Sequence, residues 1–242
     1  MTDTFEGRTF SAPSQRVERL TKVVARHVRP DQSPRILDLG CGTGRQLFDL
    51  ARTIPEAMLT GVDISQPNVE AAQQAAEELN LANRVGFAAI DYLSFESEPF
   101  DAIVSDSTLQ NINAPNDALF ARLGNDLAPG GVLVCTVPYG CAFNHLLWLV
   151  RRCLRCVRCR LTDGFIFRAA RMLHRGDMTD DMLRERVHYM YLIPLFHDTP
   201  VLRRELESEF GLEVVDEAEV PHASIGQPRH RLIVFRKMES VD

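Results

Sequence analysis

Residues 14 to 28, SQRVERLTKVVARHV, set Val17, Leu20, Val24 and Val28 at helical spacing, and Pro30 and Pro34 would stop that helix. Behind them the period changes. RILDL (35–39) predicts a buried strand, and GRQLFDLARTI (44–54) a helix that begins at a glycine turn. The alternation then repeats: a strand over 58–64, an alanine-rich helix over 66–81 with proline in its first turn, and strands over 84–91 and 100–106. A helix over 116–127, a turn at APGG and a fifth strand over 132–138 follow. From Pro138 the rhythm breaks for some sixty residues, and the interruption itself has a helical pattern over 143–160, 165–175 and 179–190. A helix and a strand within 199–220 and a last strand over 231–237 restore the order.

Strands alternating with helices predict βαβ units, hence an α/β fold: a doubly wound, mostly parallel sheet with helices on both faces. Right-handed crossovers leave few topologies, and such sheets bind ligands beyond the carboxyl ends of their strands. Those ends are Leu39, Asp63, Asp91, Ser105 with Asp106, and Pro138. The partition expected is one core domain, residues 1–138 and 198–242, with a helical insertion over 139–197.

The glycine turn then asks for a ligand. Gly40, Gly42 and Gly44 follow the first strand at alternate positions, whereas a dinucleotide fingerprint needs its third glycine at 45. Arg45 stands there instead. Asp38 also precedes the turn, where an acid would meet a cation but repel a phosphate. With ILDLGCGTG, LTGVDIS, AIDYLSF, FDAIVSDSTLQNI and LAPGGVLVCTVP in this order, the chain resembles the class I S-adenosylmethionine-dependent methyltransferases over residues 35–138, and in outline over 198–237. The resemblance implies a seven-stranded sheet whose last strand runs antiparallel between the fifth and sixth. It implies S-adenosylmethionine as cofactor, with S-adenosylhomocysteine as product. Asp38 and the backbone of Gly40, Cys41, Gly42 and Gly44 would face the methionine end, with Ser105, Asp106 and Ser107 nearby. Asp63 would hold the ribose hydroxyls and Ile64 would pack on the adenine. Asp91 would accept the adenine amino group, and Tyr92 or Leu93 would flank the ring. The 23 residues from Gly40 to Asp63 agree with the ~20 expected of a ribose acid in such a sheet.

A sulfonium methyl is already activated, so transfer needs mainly an acceptor held in line, and a base only if that acceptor arrives protonated. His197 and Asp106 are the candidate catalytic groups, with His145 and His222 behind them; the plainer role for each histidine is structural. The acceptor expected is a small-molecule oxygen, nitrogen or carbon, covered by the insertion acting as a cap. Rival readings are an aminopropyltransferase on the same fold, a silent cofactor-binding regulatory protein, and, more thinly supported, an RNA methyltransferase.

Composition narrows this further. The chain has 242 residues, 45% of them hydrophobic, and a net charge of −6, so DNA is not an expected partner. No run approaches the ~20 apolar residues of a membrane span, and MTDTFEGRTFSAPSQR lacks the apolar core of a secretory leader, so a cytoplasmic location is expected. The average charge hides an asymmetry. Residues 151–175 hold eight arginines against Asp163, a local +7, leaving −13 for the rest. This segment suits a solvated lid face, an anionic or lipid-like acceptor, or peripheral contact with anionic lipid. Cys153, Cys156 and Cys159 alternate with its arginines. A metal site would need them with His145 or His174, but one continuous helix would point Cys153 and Cys159 about 120° apart. No metal is therefore expected, and the cysteines read as small hydrophobes.

Overall fold

Alternate residues of a strand face opposite ways, and in this chain both directions are apolar. Ile36, Val132, Val134 and Val234 pack with Leu20 and Val24 from one helix, Leu47 and Leu50 from a second and Ala76 from a third. Their neighbours Leu37, Leu133, Cys135, Ile233 and Phe235 pack on the other face with Leu119, Phe120, Leu123 and Leu206. A sheet buried on both faces must be sandwiched between helical layers. The computed structural model, which describes residues 14–29, 32–173, 180–220 and 227–239, has that architecture.

The strands are β1 (Arg35–Leu39), β2 (Met58–Asp63), β3 (Val85–Ala89), β4 (Phe100–Asp106), β5 (Leu127–Pro138), β6 (Leu212–Glu219) and β7 (His230–Lys237). They pair in the order β3-β2-β1-β4-β5-β7-β6. The β1–β5 ladder is parallel, and β7 runs antiparallel between β5 and β6. The seven-stranded sheet expected from the resemblance is present. Helices α1 (Ser14–His27), α2 (Arg45–Thr53) and α3 (Gln66–Glu78) cover one face; α4 (Asn116–Asp126) and α8 (Pro200–Phe210) cover the other. Between β5 and α8 come α5 (Ala142–Cys156), α6 (Arg160–Leu173) and α7 (Asp180–Tyr189).

Three local readings change. The APGG segment is not a turn ahead of β5 but a bulge inside it: Leu127 pairs with Phe100 and Val132 with Ala102. Gly130 takes φ 73°, and a Cβ on Gly131 would lie 2.8 Å from the Ala128 carbonyl oxygen. Helix α3 ends at Glu78 because Asn80 adopts φ 57°. The helix expected over 143–160 is two helices broken at 157–159. Thr162 causes the break: its hydroxyl accepts the Cys159 N–H (3.0 Å) and donates to the Val157 carbonyl (2.7 Å). One side chain thus satisfies the end of α5 and the start of α6. Cys153 and Cys156 consequently lie on α5, with Cys159 just ahead of α6, all exposed, and the described residues contain no cluster that could hold a metal. None of the described helices is long and apolar enough to cross a membrane. His174 lies outside the described residues.

The helical excursion leaves and rejoins the core at one point. Tyr139 bridges Asp198, whose N–H donates to the Pro138 carbonyl at 2.8 Å. Asp198 is buried and takes both arms of Arg203 at 2.7 and 2.8 Å. On the outgoing side Asn144, fully buried in the first turn of α5, donates to the carbonyls of Tyr139 (2.7 Å) and Arg229 (2.9 Å). Its carbonyl accepts the Arg229 N–H at 2.7 Å. Asn144→Ala would strand three backbone groups away from water, so equilibrium denaturation should show a loss of about 2–3 kcal/mol; a loss below about 0.5 kcal/mol would mean the clamp is not holding the junction.

Candidate active site

The carboxyl edge of β1, β2 and β4 is built by backbone conformations that only some residues accept. Gly40, Gly42 and Gly44 all have positive φ, at 80°, 51° and 81°. Two of them are also pressed by the protein itself. A Cβ on Gly40 would lie 2.2 Å from Thr108 Oγ1, and one on Gly44 would lie 2.9 Å from the Phe87 ring. The turn is held to β2 by Gly40 and Cys41 N–H groups donating to the Val62 carbonyl at 2.8 and 3.1 Å. Asp63 completes the hold. One of its carboxylate oxygens accepts the Gly42 N–H and the other the Ser65 N–H, each at 2.9 Å.

Beneath the turn lies Asp38, buried, with no hydrogen-bond or ion-pair partner among the described residues. Burial, and then the nearby carboxylates of Asp106 and Asp63, push its carboxyl up to about 8. Asp106 is answered by a cation from the far end of the chain. Arg16 of α1 reaches its carboxylate, the Ser107 hydroxyl and, at 2.9 Å, Thr136 Oγ1. Ser107 itself has φ 59°, a costly conformation for serine, and its carbonyl accepts the side chains of Gln110 (2.8 Å) and Asn111 (3.1 Å). Of the three carboxyl groups around the glycine turn, Asp106 is paired with a guanidinium, Asp63 is held by backbone N–H groups and Asp38 has no partner among the described residues, an arrangement that suits a cation better than a pyrophosphate.

Sequence comparison agrees. Residues 36–131 match the family model described as a methyltransferase domain. That match covers about two fifths of the chain and agrees with its resemblance to the class I S-adenosylmethionine-dependent methyltransferases. The chain is 41% identical to the trans-aconitate 2-methyltransferase of Streptomyces coelicolor over 110 residues, 45% of this chain and 36% of that one. The chain spans about a quarter to a half of the length of the first curated relatives it matches. In fold it is similar to the N-methyltransferase NodS of Bradyrhizobium japonicum (TM-score 0.58, 18% identity, 93% of this chain and 96% of that one). It is also similar to the [4+2]-cyclase SpnF (TM-score 0.56, 20% identity, 92% and 82% covered), so likeness of fold does not name the reaction.

The residues present suit a methyltransferase's sulfonium cofactor. Asp38 has no cation partner among the described residues; Ile64, 45% exposed, and Leu93, 38% exposed, offer apolar flanks beside Asp63 and Asp91. Asp91 accepts the Leu93 N–H through one oxygen at 3.0 Å, and its other oxygen makes no hydrogen bond among the described residues.

Not every anticipated residue turns to the site. Tyr92 points into the core, where its hydroxyl donates to Asp126 at 2.8 Å, because Tyr92–Ser94 form a 3-10 turn that leaves Leu93 outward. Ser105 is fully buried and donates to the Leu39 carbonyl at 3.1 Å, tying β4 to β1. The Cys41 thiol is pushed far above its usual range by burial and Asp38, so Cys41 acts through its backbone. Asp106 is committed to Arg16 and Thr136.

The structure does bring two candidate histidines together. His145 of α5 and His197 lie with ring centroids 6.0 Å apart, and Trp148 stands 4.8 Å from His197 and 5.3 Å from His145. Gly140 lies against them: a Cβ there would be 3.6 Å from His197 Nε2 and 4.0 Å from His145 Nε2. Burial and His145 hold the His197 imidazole below its usual range. His222 lies outside the described residues. His230, which sequence reading passed over, pairs with Pro138 at the strand edge; burial and Arg16 push it down to about 4. Its position and Arg16's follow only from strand pairing and helix packing across the whole chain, so no local pattern marks either.

These groups impose opposite pH slopes. His230, depressed when folded, contributes stability that is lost as pH falls from 6.5 towards 4. Asp38, raised when folded, binds a proton the unfolded chain has shed, so stability falls as pH rises from about 4 to 8. Between pH 6.5 and 8 only the Asp38 slope remains of the two. Asp38→Asn should therefore raise the melting temperature of the ligand-free protein at pH 8 by at least about 2 °C, with a smaller gain at pH 5. A gain independent of pH would contradict the reading.

Proposed function

We propose that the chain is a cytoplasmic methyltransferase that uses S-adenosylmethionine to methylate an oxygen, nitrogen or carbon of a small molecule. The observation that carries this reading is Asp38, a buried carboxyl beneath the glycine turn without a counter-ion among the described residues. Bound there, S-adenosylmethionine supplies a methyl activated for displacement by its sulfonium. The chain's own part is positioning and charge. Asp38 takes the positive methionine end, Asp63 pins the turn and faces the ribose, and Asp91 with Ile64 and Leu93 receives the adenine. Arg16 neutralises Asp106, which keeps the carboxylate balance from over-repelling Asp38 and holds α1 against the edge.

Residues 139–197 then act as the acceptor cap. The insertion leaves β5 at the ligand edge and carries His145 and Trp148 beside His197. A neutral imidazole at His197 accepts the proton of a hydroxyl or ammonium acceptor, and the Trp148 ring gives a planar apolar surface beside it.

Two tests separate the parts of this reading. In calorimetry Asp63→Ala should weaken S-adenosylmethionine and S-adenosylhomocysteine alike by about 1–3 kcal/mol; unchanged affinity would refute the assignment of Asp63. A radiolabelled-methyl screen of cell extracts should label a small molecule, and His197→Ala should then lower kcat about a hundredfold or more without changing cofactor affinity. The wild-type rate should rise with pH up to a midpoint below 6.5 and level off above it. No labelled product with intact cofactor binding would favour a silent binder or a different reaction.

A further inference from the structure

The arginine-rich helices α5 and α6 each carry an apolar face that nothing in the described fold covers. On α5 the inward face holds Trp148 and Arg151, both buried. Leu146, Leu149 and Val150 are exposed, and at 100° per residue Leu146 lies about 160° round the helix from Trp148. On α6 the inward residue is Ile166, packed with Val187 and Tyr191. Leu161, Phe165 and Met172, at 85%, 72% and 70% exposure, fall within about 40° of one another on the outward side. Single exposed apolar residues need no explanation; two consecutive stripes opposite two packed faces do.

The charge around the stripes narrows what covers them. Residues 151–173 contain seven arginines and one acid, Asp163, and that carboxylate is engaged by the Tyr191 hydroxyl at 2.6 Å. Arg152, Arg155, Arg160 and Arg168 are exposed and have no ion-pair partner among the described residues. A second copy docked here about a two-fold axis would set arginine rows against each other. An anionic bilayer answers both features: leucine and phenylalanine enter the acyl boundary while guanidiniums extend to the phosphates.

We infer that the α5–α6 face is a docking surface for an anionic lipid bilayer. The outward face belongs to the helix that carries His145 and Trp148, so docking sets the acceptor edge of the fold beside the membrane surface. The inference does not rest on methyl transfer.

Co-sedimentation of the full chain with vesicles tests it. Phosphatidylcholine alone should pellet little protein, whereas vesicles containing roughly a third phosphatidylglycerol should pellet most of it, less so as salt rises. Leu161→Gln with Phe165→Gln should lower partitioning at least about tenfold, and Arg152→Gln with Arg155→Gln about fivefold per arginine, with melting temperature unchanged in both. Equal pelleting with neutral and anionic vesicles, no pelleting with either, or variants that bind as the wild type would overturn it. A concentration-dependent dimer in sedimentation velocity, dissolved by the Leu161/Phe165 pair and accompanied by no vesicle binding, would overturn it in favour of a second copy.

Discussion

The site depends on a buried carboxyl that no cation answers among the described residues. Asp38 stands at the end of β1 with hydrophobic sheet on either side, two further carboxylates nearby and no cation paired with it among the described residues. Such a group is tolerated because it can hold a proton. The rest of the edge is arranged around this carboxyl. Asp63 spends both oxygens on backbone N–H groups and so shapes the turn, while Asp106 is neutralised by Arg16. Of the three carboxylates, the one left unanswered is the one under the glycine turn. A pyrophosphate reader arranges the opposite charge at the same place.

The sheet makes this arrangement rigid. Both faces of β1 and β4 are buried in separate hydrophobic layers, so the strand ends have little freedom to relax away from one another. Ser105 fastens β4 to β1 at that level through the Leu39 carbonyl. At the carboxyl edge the positive φ values fall in the connections, at Gly40, Gly42, Gly44 and Ser107. A stiff platform with strained connections holds donors and carboxylates in place without a ligand to organise them.

What could be read beforehand follows the range of the interactions involved. Strand and helix periods, the glycine turn, and acids at strand ends are local patterns, and they led to the mostly parallel sheet and the carboxylate edge; the place of the antiparallel strand came from the family resemblance. The finer side-chain assignments were legible only where the backbone stayed regular. Tyr92 turns inward because a 3-10 turn rotates the chain just after Asp91. The α5–α6 break depends on one threonine hydroxyl meeting two backbone groups. The Arg16–Asp106 pair and the His145–Trp148–His197 cluster join residues far apart in sequence, and no period or spacing in the chain encodes them. Asn144, which clamps the insertion to the core, is an asparagine at a helix start like many others until its three partners are seen.

The claim that the edge seeks a cation rather than a phosphate is open to one direct measurement. Titration calorimetry of the ligand-free wild-type chain with S-adenosylmethionine and, separately, with NAD compares the two on the same glycine turn. The account expects saturable binding of S-adenosylmethionine and no detectable heat from NAD. Saturable binding of NAD, or no binding of S-adenosylmethionine, would contradict it.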